Sequence, residues 1–438
     1  MLKVLPRSFS IRNFKCLKEL DIVLDKLNIV IGPNGSGKTS LVEAFLLLKL
    51  ILNYIKGSIM NPFLQWWGYR NAVWRLNEKL NIELKIGFSL KWEPPLDFYR
   101  ETFEKQTGHP YISLDSVYYN ITVSGIGGKF HIINEELYIK DYEIKLRAVN
   151  NRIRTFYKDN EIQVTEITPI RYLLELVYGF LKVHDYLPYD EAIDNTIIDI
   201  EGNFAFIPSN ILKDIPSKNY DRVFIDFGIV CSLVGIYKLI DRMVILPPEA
   251  FFRIREPSKP IKVETISPYG EDLASLISTI YGGRLPEHIR SSLEYVLDEK
   301  DIDVKTTLTS DGRIYLELIQ GSNVFEPPSI PSGLLKVLAI EIALDINSPL
   351  LIIDEIENSL HIRAIHRVLD DIRNSDVVLV ATTHSPALLD LVKPFEVIVL
   401  ERKRLETIAS RLSRSRELEK KLRKLGVSLG EYLTYIST

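Results

Sequence analysis

A mixed α/β fold, its main sheet flanked by helices and joined by an antiparallel β layer and a helical insertion, is what the sequence predicts, and three observations carry it. First, an apolar strand at 27–31 runs straight into a glycine-rich loop, and the loop into a run with Leu41, Ala44, Phe45 and Leu48 at helical spacing. Second, Leu350–Ile353 and Val377–Ala381 are apolar at every position, as parallel strands buried on both faces are. Third, stretches between about 80 and 165, such as 116–124 and 129–139, alternate apolar with polar residues and are separated by Gly-Gly or Asp-Asn, the pattern of antiparallel hairpins.

In chain order, residues 8–31 read as three strands, broken at Asn13-Phe14-Lys15 and Asp25-Lys26, and a helix follows from Thr39 to about Lys56. The antiparallel segment comes next, closing an N-terminal lobe at 1–165. Residues 166–245 hold apolar helical candidates, 171–183 and 220–240, without sustained heptads, and predict a helical insertion rather than a coiled-coil arm. A C-terminal lobe at 246–438 follows, with a helix at 270–281, strands near Val304 and Ile314, a helix from Gly333 and the two apolar strands.

The 438 residues carry 54 Lys+Arg against 58 Asp+Glu, with 46% hydrophobic residues, which excludes a disordered chain. Two distant cysteines, Cys16 and Cys231, exclude a disulfide framework or a cysteine zinc site. The longest apolar stretch, 41–55, contains Glu43 and Lys49 and is too short for a bilayer span, and no signal-like stretch opens the sequence. A cytoplasmic protein without a membrane span is expected.

The chemistry-bearing motif is Gly32-Pro33-Asn34-Gly35-Ser36-Gly37-Lys38-Thr39, which fills G-x-x-x-x-G-K-[ST] between a strand and a helix. Glycines let successive N–H groups curl around phosphates, the helix N-terminus adds its positive end, Lys38 reaches the β and γ phosphates, and Thr39 offers its hydroxyl to Mg²⁺. Asp354-Glu355 ends the apolar strand at 350–353: the first acid suits Mg²⁺, the second suits activation of an attacking water. His384 follows the strand at 377–381, in place for a γ-phosphate.

Together these residues resemble ABC-type ATPases of the SMC, RecF and OLD group, especially compact RecF-like and OLD-like proteins. The resemblance opens at Ile11-Arg12-Asn13-Phe14-Lys15 and covers the P-loop. It resumes at Ile266-Ser267-Pro268-Tyr269-Gly270 and continues through Ser332-Gly333-Leu334-Leu335-Lys336, 354–361, Thr383-His384-Ser385-Pro386 and Leu429-Gly430-Glu431-Tyr432. It implies a P-loop NTPase of ABC-ATPase head type that closes as a homodimer around two ATP molecules with Mg²⁺. Each ATP would then be held by one P-loop, with Ser40, Arg12 and Asn13 as further nucleotide contacts. The partner's signature residues Ser332, Gly333 and Lys336 would complete the site. Gln65 stands for the glutamine that follows the first helix in these ATPases, and with Thr39 and Asp354 forms the metal set. Catalysis is assigned to Glu355, His384 and Lys38.

Departures from the family pattern are specific. Pro331 occupies the usual signature serine position, with Ser332 one residue later, and Ile356 and Ile362 stand where many relatives carry proline. Only 54 residues follow His384, too few for the Toprim nuclease domain of OLD proteins. The cations of 402–424 read as a basic helical stretch and a candidate DNA contact. The expected function is an ATPase acting on DNA or in genome maintenance or defence. The alternative is a low-turnover, nucleotide-gated protein that controls a partner toxin or nuclease through residues 168–245.

Overall fold

The computed structural model describes residues 1–94, 104–105, 108–149, 152–166, 222–404, 406–412, 420, 422 and 424–433. They form two compact units that interleave along the chain: 1–23 with 47–241, and 24–46 with 242–438.

The first unit is built on an eight-stranded antiparallel sheet. Its strands are β1 (Leu2–Phe14), β2 (Leu17–Val23), β4 (Ile82–Trp92), β5 (Ile112–Ser124), β6 (His131–Ile139), β7 (Ile144–Val149), β8 (Arg152–Tyr157) and β9 (Asn160–Glu166), in the order β2-β1-β4-β5-β6-β7-β8-β9. Alternation explains it: in β7 every second residue is buried, so one face packs and the other stays wet. A helix, Arg222–Asp241, lies on this sheet at β1, β4 and β5. Gly228 permits the close approach, since a Cβ there would stand 2.3 Å from the Tyr142 ring. The rest of the expected insertion, 167–221 with the candidate helix at 171–183, lies outside the described residues.

The second unit holds a six-stranded sheet in the order β10-β14-β15-β3-β16-β17. It comprises β10 (Val244–Leu246), β14 (Leu350–Ile353), β15 (Val378–Thr382), β3 (Leu27–Ile31), β16 (Val397–Lys403) and β17 (Glu406–Arg411). All neighbours pair in parallel except β16 with β17. β3, β14 and β15 are buried at every position, which is why they are apolar apart from Asn28 in β3 and Thr382 at the end of β15. The helix α1 (Lys38–Ile55) leaves β3 through the glycine loop, its first nine residues belonging to this unit. Taking α2 as the helix at 222–241, this unit adds α3 (Leu273–Tyr281), α4 (Glu287–Leu297), α5 (Ser332–Asp345) and α6 (Ile362–Asn374). A three-stranded sheet, β11 (Ile302–Leu308), β12 (Ile314–Gln320) and β13 (Asn323–Phe325), packs against α3 and α4.

One expectation is corrected. Residues 402–411 are not helical: Arg402 and Lys403 end β16, Arg404 turns with φ +59°, and 406–411 return as β17. The burial of β16 runs from buried at Val397 to exposed at Lys403, because the strand projects beyond the covered sheet. Its charges therefore decorate a solvent-facing hairpin. Residues 413–419 lie outside the described set.

Candidate functional site

The second unit gathers the P-loop, the acidic strand end, His384 and the signature segment. Three P-loop glycines have positive φ, +155° at Gly32, +75° at Gly35 and +104° at Gly37, values that glycine tolerates and side chains resist. A Cβ on Gly32 would stand 2.2 Å from the Leu400 carbonyl oxygen, so β16 presses on the loop. On β17, Thr407 donates its hydroxyl to the Ser36 carbonyl at 2.9 Å, tying the hairpin to the loop. Arg402 stands 3.7 Å from where a Cβ on Gly35 would lie, which places a guanidinium beside the phosphate loop.

Lys38 is 7% exposed and donates Nζ to the carbonyls of Gly32 at 2.7 Å and Pro33 at 3.2 Å. Burial lowers its pKa, while Asp354, Glu355 and Glu357 oppose the shift. Thr39 is exposed at the start of α1, and Ser40 follows, half-buried. The Ser36 hydroxyl is buried and bonded to no group among the described residues. A glycine loop at a helix N-terminus, a loop cation and this orphaned hydroxyl suit a polyphosphate.

Asp354 and Glu355 leave β14 in different states. Asp354 is 4% exposed, and burial raises its pKa against the opposing hydroxyl bonds from Thr382 and Thr39. The Thr39 hydroxyl and the Asp354 carboxylate thus meet, and both are hard oxygen donors of the kind Mg²⁺ takes. Thr382, the last residue of β15, works in two directions: its hydroxyl donates to Asp354 and accepts the Glu355 N–H at 2.8 Å. Glu355 itself is half-buried and left-handed, with φ +52°. The Asn358 carboxamide donates to its carboxylate. His384 is exposed, and its N–H donates to Glu357 at 2.6 Å, so the loop after β15 is fastened to the loop after β14.

The signature segment behaves differently from its sequence reading. Pro331 precedes α5 as its N-cap, so no hydroxyl stands at the usual serine position. Ser332 accepts from Arg255 at 2.9 Å, and the same guanidinium nitrogen holds the Ile330 carbonyl at 2.7 Å. Gly333 meets the acidic-strand loop so closely that a Cβ would lie 2.5 Å from the Ser359 carbonyl oxygen. Lys336 is not presented at the surface. It is 1% exposed, and its Nζ donates to the Glu355 carbonyl at 2.8 Å and the Asn358 carbonyl at 3.1 Å.

Arg12, Asn13 and Gln65 belong to the first unit. Arg12 bonds Glu19 at 2.8 Å and lies 3.7 Å from Glu83, and Asn13 donates to the Asn81 carbonyl at 2.9 Å. Gln65 sits on the short turn Leu64–Trp66. The sequence reading gave Arg255, Asn358 and Thr382 no role, and it placed Arg402 in the basic stretch rather than beside the P-loop. Only Asn358 and Thr382 lie within quoted or flanking motifs, and neither residue type announces its role there.

Two family models match the chain. One, described as an AAA ATPase domain, matches residues 7–93 and contains the P-loop. The other, described as an AAA domain, putative AbiEii toxin, Type IV TA system, matches residues 243–390 and contains the signature segment, the acidic strand and His384. Both models are of AAA-type ATPase domains, and they support an ABC-type P-loop ATPase related to the SMC, RecF and OLD group. An OLD nuclease from Thermus scotoductus (strain ATCC 700910 / SA-01) is 40% identical over 38 residues, which span 9% of this chain and 7% of that protein. Among solved structures, an Smc head bound to the C-winged helix domain of ScpA aligns with TM-score 0.48 and 12% identity over 95% of this chain and 99% of that one. An Smc head with an extended coiled coil, bound to the C-terminal domain of ScpA derived from Pyrococcus furiosus, aligns with TM-score 0.42 and 14% identity over 97% and 99%.

Proposed function

We propose that the protein binds ATP at Gly32–Ser40 and hydrolyses it to ADP and phosphate. The carrying observation is the Thr382 hydroxyl that fixes Asp354 and the Glu355 backbone at once, with Thr39 of the phosphate loop beside the Asp354 carboxylate. Lys38 leaves its loop carbonyls for the β and γ phosphates of the substrate. Thr39 and Asp354 would hold Mg²⁺, which would supply positive charge beside the phosphates. Glu355 takes the proton of the attacking water, and His384 contacts the γ-phosphate. Ser40 completes the nucleotide contacts of the loop. Two copies close around two ATP molecules, with Ser332 and Gly333 facing the partner's nucleotide, and the closing motion acts on DNA or on a protein seated on residues 168–245.

ATP hydrolysis measured with and without double- and single-stranded DNA at low salt tests this reading. The expected result is turnover that Lys38→Ala abolishes and DNA accelerates. A DNA-independent rate would remove DNA from the proposal.

The signature geometry favours a second reading. With proline at 331 and the Ser332 hydroxyl engaged by Arg255, the contact offered to a partner's γ-phosphate is weakened. A slowly hydrolysing, nucleotide-gated protein that releases or restrains a partner fits that feature. Turnover below about 1 s⁻¹, the low end of ordinary enzymes, with tight ATP binding would select it.

A further inference from the structure

The contacts of Lys336 point away from the role its motif implies. A lysine ammonium with 1% of the residue exposed costs folding free energy, which a methionine of similar shape would not. Among the described residues no carboxylate closes an ion pair with it: the ammonium bonds two backbone carbonyls, lies 5.2 Å from the centre of the Phe251 ring, and feels the carboxylates of Glu357, Glu355 and Asp354 only at longer range. Both carbonyls belong to the loop that carries Glu355.

We propose that Lys336 is a positioning residue that acts within its own chain, holding the 355–358 turn so that the Glu355 carboxylate is aimed for hydrolysis. This deepens the proposed function and rests on it.

The turn needs holding. Glu355 and Ser359 are both left-handed without being glycine, with φ +52° and +65°, a backbone state that side chains resist. Inside the turn, the Asn358 N–H donates to the Glu355 carbonyl at 3.0 Å, and its carboxamide donates to the Glu355 carboxylate. Lys336 grips both ends of that turn through the carbonyls of 355 and 358. On the other side, Thr382 holds the Glu355 N–H through its hydroxyl and the Ile356 N–H through its carbonyl, the latter at 3.1 Å. The glutamate is therefore clamped between β15 and the first turns of α5. Gly333 brings α5 close enough for the clamp, because any side chain there would strike the Ser359 carbonyl. The signature helix is thus a support for its own chain's glutamate as well as a surface for a partner's nucleotide.

The test compares wild type with Lys336→Met, Lys336→Gln and Lys336→Arg. Three readouts are needed: ATP hydrolysis, direct titration with a fluorescent ATP analogue, and hydrogen exchange of peptides covering 354–360 and 32–41. The expected result for Lys336→Met is a kcat lower by roughly tenfold to a hundredfold, the cost of misplacing a catalytic group by about an ångström. Nucleotide affinity should stay within about twofold, since uniform binding is untouched. Exchange at 354–360 should accelerate while 32–41 is unchanged. Lys336→Arg keeps donors on the carbonyls and should recover kcat above the methionine variant, whereas Lys336→Gln, also neutral, serves if the methionine variant does not fold. Unchanged exchange at 354–360 would overturn the proposal, as would an unchanged kcat or a loss confined to nucleotide affinity. If wild type itself does not hydrolyse ATP, the proposed function fails, and the exchange comparison alone decides the role of Lys336.

Discussion

Glu341 is the residue whose removal should stabilise the second unit. It lies on α5, 7% exposed, with one carboxylate oxygen bonded to no group among the described residues. Burial pushes its pKa up to about 7; a Ser292 hydroxyl opposes the shift and the nearby Asp371 carboxylate adds to it. An unfolded glutamate releases its proton near pH 4.3, whereas the folded one keeps it until about pH 7. Between those values the native state binds more protons than the unfolded state, so stability falls as pH rises, and the whole penalty is present above pH 7. A shift of about two to three units corresponds to on the order of 3 kcal/mol. Glu341→Gln, neutral throughout, should therefore match wild type near pH 4.5 and exceed it at pH 8 by up to that amount, less whatever its unbonded amide costs. All four tryptophans, Trp66, Trp67, Trp74 and Trp92, lie in the first unit, so fluorescence does not read this region. Hydrogen exchange of α5 peptides at both pH values does. Equal pH slopes for the two proteins would refute the reasoning.

Thr382→Val keeps the strand's shape but leaves the Glu355 N–H without its acceptor and Asp354 without one of its donors, and should cost about 1–3 kcal/mol in local exchange stability and most of the turnover. Gly32→Ala should destroy nucleotide binding in a fluorescent-analogue titration, because its Cβ would overlap the Leu400 carbonyl and backbone carbonyls do not yield. Arg402→Ala should weaken nucleotide binding roughly fivefold, about 1 kcal/mol, and more at low than at high salt, as loss of an exposed cation beside a phosphate loop requires.

The parts of the structure that were legible in the sequence are those in which local pattern and burial agree. β3, β14 and β15 are covered on both faces, so their nearly unbroken apolar runs identify them, and the glycine loop after β3 can sit only where a strand hands over to a helix. The antiparallel sheet was legible because one of its faces is wet, which prints a two-residue period on β4 to β8. The hairpin at 397–411 misled because β16 is a core strand at Val397 and a charged, exposed one at Lys403, and a cluster of cations there mimics a solvated helix face. Lys336 was legible as part of a motif, but its burial was not: that depends on Gly333 bringing α5 against the 355–360 turn, a contact between segments 19 and 22 residues apart. Arg255 lies 77 residues from Ser332, and no local pattern links them. Interleaving of the two units along the chain is equally invisible to a reading that proceeds in order, since α1 passes from one unit to the other without a break in its helical period.

The central claim is that Glu355 activates water against an ATP held by Lys38, and phosphate release at saturating ATP and Mg²⁺ tests it most directly. Wild type, Glu355→Gln and Lys38→Ala would be compared, each with its ATP affinity measured alongside. The account predicts phosphate release by wild type, ATP binding without appreciable release by Glu355→Gln, and loss of binding itself in Lys38→Ala. Phosphate release by Glu355→Gln at the wild-type rate would contradict it.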